Sequence, residues 1–578
     1  MIEQIDKFHY ADYIVFVGLL MMSALIGISI GWMDRKKNST QDYLLGGGDL
    51  KIFPIGISIL GSFISAVAIL GVSSEMYQYG TLYWTVIFSY PITLAVAGLV
   101  FAPLFHRLRI TSAYEFLYMS VALYSPSLAI EQVTGIPLFY SIIGTGGICA
   151  LYTVAGGLKG TVWIDTFQVG VMFIGFILKF SIVRNLNKKI QGLTVLIIKG
   201  IIEIPGGLSE VWRRAEQSDR IEFFDFNPSP FVRHTTWALF FGSFFTDLTV
   251  YGANQGSIQR YMAVRKWQYA AKALLVNLVG VFFLQTLICL CGLIAYAKYY
   301  DCDILSTGTI NKGEQILSFL VLDILGQFHG FPGLFVATIY SAALSTISTG
   351  MNSLAAVCIT DFVKPFYQKK YGISLTEKKA TFTSKAIALF FGLAAIGMAF
   401  SCQFFGSTVM QLTSSIFGLL GGPLLGVISL GMFVKKANWV GAIVGLILST
   451  IGSIYLGVIG VLYNKPSGLK PVSTIGCNIT TTTTTKNLTS PIEYDDGPFL
   501  SQLSYLYYSL CACIITYFFG IVISVLVEKM KWIEIKPIKS EYLFSLNVWN
   551  DNKVGQNKVD VEFRRKSIEL SENNSIKF

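Results

Sequence analysis

Residues Gly56–Gly80 read GISILGSFISAVAILGVSSEMYQYG, a stretch long enough to cross a bilayer yet interrupted by glycines and by Ser58, Ser62 and Ser65. A simple lipid-facing anchor has no use for these residues, because each hydroxyl in hydrocarbon needs a partner and each glycine weakens the helix. A helix that opens near mid-membrane does use them. Where a spanning helix unwinds, freed carbonyls can face a cation while the new half-helix N-terminus faces an anion. The stretch therefore predicts half of a sodium and solute site, with a partner elsewhere in the chain.

Composition fixes the class: 53% hydrophobic and 13% charged residues over 578 exclude a soluble domain and predict an all-α, multispanning membrane protein. The net charge of +10 follows from topology rather than from nucleic-acid binding, because basic residues gather in cytoplasmic loops. The nine cysteines show no CxxC or metal spacing, and most lie in apolar runs as small filler. Cys302 and Cys477 fall in predicted external loops, where they can pair. His9, His106, His234 and His329 are scattered and suggest neither a metal site nor a catalytic cluster. No enzyme activity is expected, and no cofactor other than sodium as a co-transported ion.

Taken in order, the chain is expected to begin with an extracellular N-terminus at 1–11, without a cleavable signal peptide, and a first helix at 12–33. Arg35, Lys36 and Lys37 then mark a cytosolic loop. Hydropathy places further spans at 56–80, 82–105, 113–130, 137–155, 161–183, 236–261, 271–297, 333–357, 381–403, 409–434, 439–461 and 500–527, thirteen in all. The tail 528–578 then lies in the cytoplasm, as a solvated disordered segment or against the inner leaflet. Asn478 and Asn487 head glycosylation sequons in the external loop 462–499.

The partner of the broken stretch is Tyr340–Asn352, YSAALSTISTGMN. On a helix Ser345 and Ser348 share a face with Ala342, and Thr346 and Thr349 with Asn352. Hydroxyls and carbonyls can cage a sodium ion without a buried carboxylate. The alternative is that these hydroxyls back-bond to carbonyls one turn earlier and let helices pack closely.

Six motifs occur in a fixed order: SAVAILG (Ser65–Gly71), AGGLK with WID and Gln168 (Ala155–Gln168), FNPSPFVRH (Phe226–His234), YGANQ with Gln259-Arg260, LSTIST (Leu344–Thr349) and GGPLLG (Gly421–Gly426). Together they resemble the sodium/solute symporter family, and most closely its branch of multivitamin, monocarboxylate and iodide transporters. The resemblance covers about residues 12–461. It implies a LeuT-type core at 52–434, with inverted five-helix repeats at 52–183 and 236–434, an external loop at 184–235 and two C-terminal helices at 439–527. It also implies a sodium site formed by Ser345 and Thr346 hydroxyls with Gly61, Ile64 and Ala342 carbonyls. Asp165 and Gln168 match a second sodium site or exit path, the alternative being a helix-dipole carboxylate and a cytosolic-end hydrogen bond. The solute pocket matches Phe63, Ser65, Ala68, Tyr90, Asn254 and Phe417.

Sugar-carrying members usually have glutamine at the position of Ala68, and an alanine favours a more apolar solute. Aromatic Phe63, Tyr83, Trp84, Tyr90 and Phe417 offer an apolar wall, and half-helix N-termini near Gly71 and Gly256 can meet a carboxylate. The expected solute is a small organic anion: a vitamin carboxylate such as biotin or pantothenate first, a monocarboxylate second. The chain departs from the family pattern twice, by a shortening near 117–118 and an apparent insertion at 179–195. The competing reading is accordingly a non-transporting sensor or an inactive variant.

Overall fold

The computed structural model describes residues 7–33, 43–44, 50–108, 115–177, 193–404, 408–463, 468–477, 497–530 and 543. The basic loop at 35–37, residues 179–192 of the apparent insertion, Asn478, Asn487 and almost all of the tail lie outside them.

Seventeen helices carry the described chain. They are α1 (Tyr10–Met33), α2 (Ile52–Phe63), α3 (Ala66–Tyr79), α4 (Thr81–His106), α5 (Glu115–Thr134), α6 (Leu138–Ile177), α7 (Leu193–Glu203), α8 (Gly207–Gln217), α9 (238–253) and α10 (Gln255–Met262). There follow α11 (Trp267–Lys298), α12 (Ile316–Leu325), α13 (Phe331–Tyr371), α14 (Glu377–Phe404), α15 (Val409–Phe433), α16 (Trp439–Leu462) and α17 (Tyr505–Met530). Nine are long and apolar enough to cross a membrane, and the bent pair α2 and α3 makes a tenth.

The expected opening in the second span is present. Helices α2 and α3 meet at Ile64 and Ser65 with a bend of 53°. Ile64 has a non-helical ψ of 74° and Ser65 one of 171°, which turns the backbone out of the helical ladder. The seventh span breaks as well: α9 ends at Asn254, whose extended backbone starts α10. In this second break the Asn254 side-chain oxygen accepts from the Gly256 and Ser257 N–H groups, so α10 begins already capped.

The predicted fifth and sixth spans are the two arms of α6, which breaks at Gly157. Gly157 adopts φ +57°, and a Cβ there would meet the Tyr43 backbone oxygen at 2.8 Å, so only glycine fits the corner. The short predicted fourth span is α5, with 20 residues; at 1.5 Å per residue it reaches about 30 Å and matches the hydrocarbon thickness. Three helices were not foreseen: α7 and α8 within the expected external loop, and the apolar α12 ahead of α13. Helix α12 is only 10 residues long, too short for a hydropathy window to separate it from its neighbours.

Small residues set the packing of the helices around this core. A Cβ on Gly31 of α1 would lie 2.3 Å from the Ala155 carbonyl of α6, so the two backbones touch there, as membrane helices do where side chains are smallest. Asp12 of α1 is buried, and its carboxylate accepts from the N–H groups of Gly330 and Gly333 at 2.8 and 3.1 Å. It thereby caps α13 from a neighbouring helix.

Cys302 and Cys477 form a disulfide across 175 residues of chain. Around it, the Gly476 N–H bonds the Asp301 carbonyl and the Asp303 N–H bonds the Ser473 carbonyl. Changing Cys302 to serine is expected to lower the stability of the purified protein by roughly 2–5 kcal/mol, the range for closing long loops. A thermal melt with and without reductant checks this, the variant matching the reduced wild type.

Candidate functional site

The opening between α2 and α3 lies against α13. The Thr346 hydroxyl is 3.2 Å from both the Ser62 and the Ala342 carbonyl oxygens, and the Ser345 hydroxyl is 3.1 Å from that of Ser62. Gly61 completes this contact, since a Cβ on it would sit 3.5 Å from Ser345 Oγ. The back-bonding alternative holds as well, for Thr346 through Ala342 and for its neighbours. Ser348 and Thr349 both donate to the Ser345 carbonyl, and Ser353 donates to that of Thr349. Ser345, Thr346 and Thr349 all face the break, while Thr346 and Thr349 also bond back to the carbonyls of Ala342 and Ser345.

Next to them is a buried charge pair that sequence reasoning did not assign. Arg260 of α10 is 1% exposed, and its Nη2 lies 3.0 Å from Oδ2 of Asp165, which is fully buried. The same guanidinium donates to Ser58 and Ser62 of α2, to Thr349 of α13, and to the Gly256 carbonyl, at 2.7–3.0 Å. Ser58 donates to Asp165, and Ser345 lies beside it. Asp165 therefore joins the neighbourhood of the break through an arginine. Gln168 points elsewhere, its amide donating to Ser23 of α1 at 3.2 Å. The signal available in the sequence was a basic residue one short half-helix after the second break.

On the other side of the break is a cavity of about 80 Å³. Of the expected solute contacts, Phe63, Ser65, Ala68, Tyr90 and Phe417 line it, whereas Asn254 does not and is spent on capping α10. Phe63 stacks against Tyr251 at 4.8 Å and meets Tyr90 edge-on at 5.7 Å, which fixes one wall. Tyr118 of α5 was missed. Its hydroxyl donates to Ser65 at 2.9 Å, lies beside Thr346, and its ring packs 4.6 Å from that of Phe417. One side chain thus touches the cavity and the hydroxyl pair at once. Because Ser65 makes no capping bond to α3, the first N–H groups of α3, at Ala66 rather than near Gly71, are the half-helix terminus left without a side-chain cap.

A second charge pair joins the loop at 233 to α3 and α15. Arg233 Nη2 donates to Glu75 of α3 at 2.7 Å and its Nη1 to Gln411 of α15 at 2.8 Å, with Glu75 only 1% exposed. Arg233 also lies over the Tyr79 ring at 4.3 Å. Burial, with the Arg233 charge beside it, holds the His234 imidazole well below its ordinary value, so His234 is neutral here and pairs with the Tyr505 hydroxyl at 3.0 Å.

Comparison with known proteins agrees with this geometry. A family model described as Sodium:solute symporter family matches residues 108–449. The chain is 36% identical over 565 residues to sodium-coupled monocarboxylate transporter 1 of Xenopus laevis, an alignment covering 91% of this chain and 87% of that protein. It is also 36% identical over 560 residues to the sodium-dependent multivitamin transporter of Oryctolagus cuniculus, covering 91% and 84%. Among solved structures, a Na+-coupled sialic acid symporter in a substrate-bound outward-open state superposes with a TM-score of 0.69 at 22% identity, over 92% of this chain and 100% of that one. It shares the fold. Broken helices, a hydroxyl pair at the break and relatives of this kind lead to one conclusion: the chain belongs to the sodium:solute symporter family and is a sodium-coupled membrane symporter, not an enzyme.

Proposed function

We propose that the protein imports a small carboxylate-bearing solute together with sodium by alternating access. The observation that carries this reading is the contact of Ser345 and Thr346 with the opened backbone at Gly61–Ile64. Hydroxyls and carbonyls there supply hard oxygens for sodium from two different helices. An ion held by both α13 and the α2–α3 junction favours the arrangement in which they touch, and so favours the neighbouring solute cavity. Tyr118 spans the two. Each sodium moving inward down 100 mV contributes about 2.3 kcal/mol before its concentration gradient is counted.

The cavity has room for several waters, and its size does not separate the two solute classes. Both a vitamin carboxylate and a short monocarboxylate stay within the proposal, each with a relative at 36% identity. The solute carboxylate is assigned to the uncapped start of α3, where N–H groups and the helix dipole meet an anion. The transporting reading is preferred to the inactive variant because the shortened α5 still spans about 30 Å and delivers Tyr118 to the site.

Further elements of the proposal are the thirteen-helix layout with inverted repeats, residence in the cell membrane, an extracellular N-terminus, a cytoplasmic C-terminus, and glycosylation at Asn478 and Asn487. Asp165 is assigned to the ion's exit path rather than to a second ion, because Arg260 already neutralises it.

The test is uptake of labelled lactate and biotin into vesicles with sodium or choline outside. Wild type should require sodium. The variant Ser345→Ala plus Thr346→Ala loses two buried oxygen partners at roughly 1–3 kcal/mol each, so half-saturation by sodium should rise at least about tenfold. Equal uptake with and without sodium in wild type would overturn the proposal.

A further inference from the structure

We infer that the solute carries a positively charged ammonium group in addition to its carboxylate, and that Asp247 is the specificity-determining residue that receives it. This rests on the sodium-coupled reading above and narrows its solute class. Asp247 stands on α9 and lines the same cavity as Phe63, Ala68 and Phe417. Among the described residues no lysine, arginine or histidine lines that cavity, so Asp247 is its charged group. A carboxylate on an apolar wall is costly unless it is paired or well hydrogen-bonded. The protein does little for it: its bond with Ser89 is long, at 3.3 Å, and the single Ser89 hydroxyl proton has a nearer acceptor in the Val86 carbonyl at 2.8 Å.

A plain monocarboxylate would bring a second acidic group into this cavity and offer Asp247 no cationic partner. An ammonium supplies that partner. The rest of the lining suits it too, because Phe63, Tyr83, Tyr90, Tyr118 and Phe417 all contribute to the wall, and aromatic faces attract alkylammonium groups. The carboxylate end keeps its place at the start of α3, where Ser65 and Val67 belong to the same wall. A solute bridging the two is a short zwitterion, an amino carboxylate or its N-methylated form.

The test compares matched probes on the purified full-length protein in lipid nanodiscs with sodium present: propionate, 3-aminopropionate and trimethylglycine. Direct binding of the labelled compounds should show at least one zwitterion bound about tenfold or more tighter than propionate, and Asp247→Leu should erase or invert that ratio. Asp247→Asn, nearly isosteric, provides a second variant should leucine fail to fold, and it should also lose the preference. Propionate bound as tightly as both zwitterions would overturn the inference, as would no binding of any probe. So would a ratio that survives both substitutions. A change in the sodium dependence alone, with the solute ratio intact, would assign Asp247 to the ion and overturn it as well. Because the sodium test on Ser345 and Thr346 uses a separate readout, a failure here leaves the sodium-coupled reading standing.

Discussion

Replacing Arg260 with methionine is expected to cost about 3–5 kcal/mol, because it strands the fully buried Asp165 carboxylate beside α2 and α13 without its counter-charge. The loss goes beyond one ion pair. The guanidinium also donates to Ser58, Ser62 and Thr349, so α2 and α13 lose a shared donor at the break. The double variant Arg260→Met plus Asp165→Asn should recover much of the stability, since removing both charges also removes the desolvation penalty of each. Thermal melting of the purified single and double variants decides the matter. Additive losses would show that the two side chains act independently. If the double variant recovers stability but not sodium-coupled uptake, the pair is needed for transport as well as for folding.

Arg233→Met should have the next largest effect, by the same physics at the second charge pair. Glu75 is 1% exposed and relies on Arg233, with Thr408 a weaker partner at 3.4 Å. Losing the arginine leaves a nearly buried anion and disconnects the loop at 233 from α3 and α15, which is expected to cost a further 3 kcal/mol or so. Since Gln411 sits next to Met410 of the cavity wall, the same change should let bound solute escape at least about tenfold faster. Arg233→Lys keeps the charge but not the two-pronged contact with Glu75 and Gln411, and should fall between. Dissociation of labelled solute after dilution measures this. An unchanged rate in Arg233→Met would show that this contact does not close the cavity. His234, being neutral, adds no charge to it, so His234→Gln should leave the rate unchanged between pH 6 and 8.

The elements written into the sequence were those whose local chemistry contradicts their surroundings. Serines and glycines in an apolar span announced the opening at Ile64–Ser65, and the run from Ser345 to Thr349 announced its partner. Both follow from one rule, that polar groups in hydrocarbon must be satisfied. What the sequence concealed depends on tertiary meetings. Arg260 and Asp165 are 95 positions apart, and Arg233 and Glu75 are 158 apart, so neither spacing suggests contact. Tyr118 was hidden differently: it belongs to a helix that seemed too short to matter. Asn254 lies beside the second break, where its side-chain oxygen caps α10, a role its position also allowed. Asp247 drew no notice because a single acid in an aromatic span has no local pattern.

The bridge from Cys302 to Cys477 also works as an arithmetic check on how the chain is threaded. Two thiols that join must face the same aqueous compartment, and an oxidising one. The polypeptide between them must therefore pass through the bilayer an even number of times. Helices α13, α14, α15 and α16 give four passes. Any scheme that turns one of the four into a hairpin dipping back to the side it came from would leave the sulfurs on opposite faces, unable to meet.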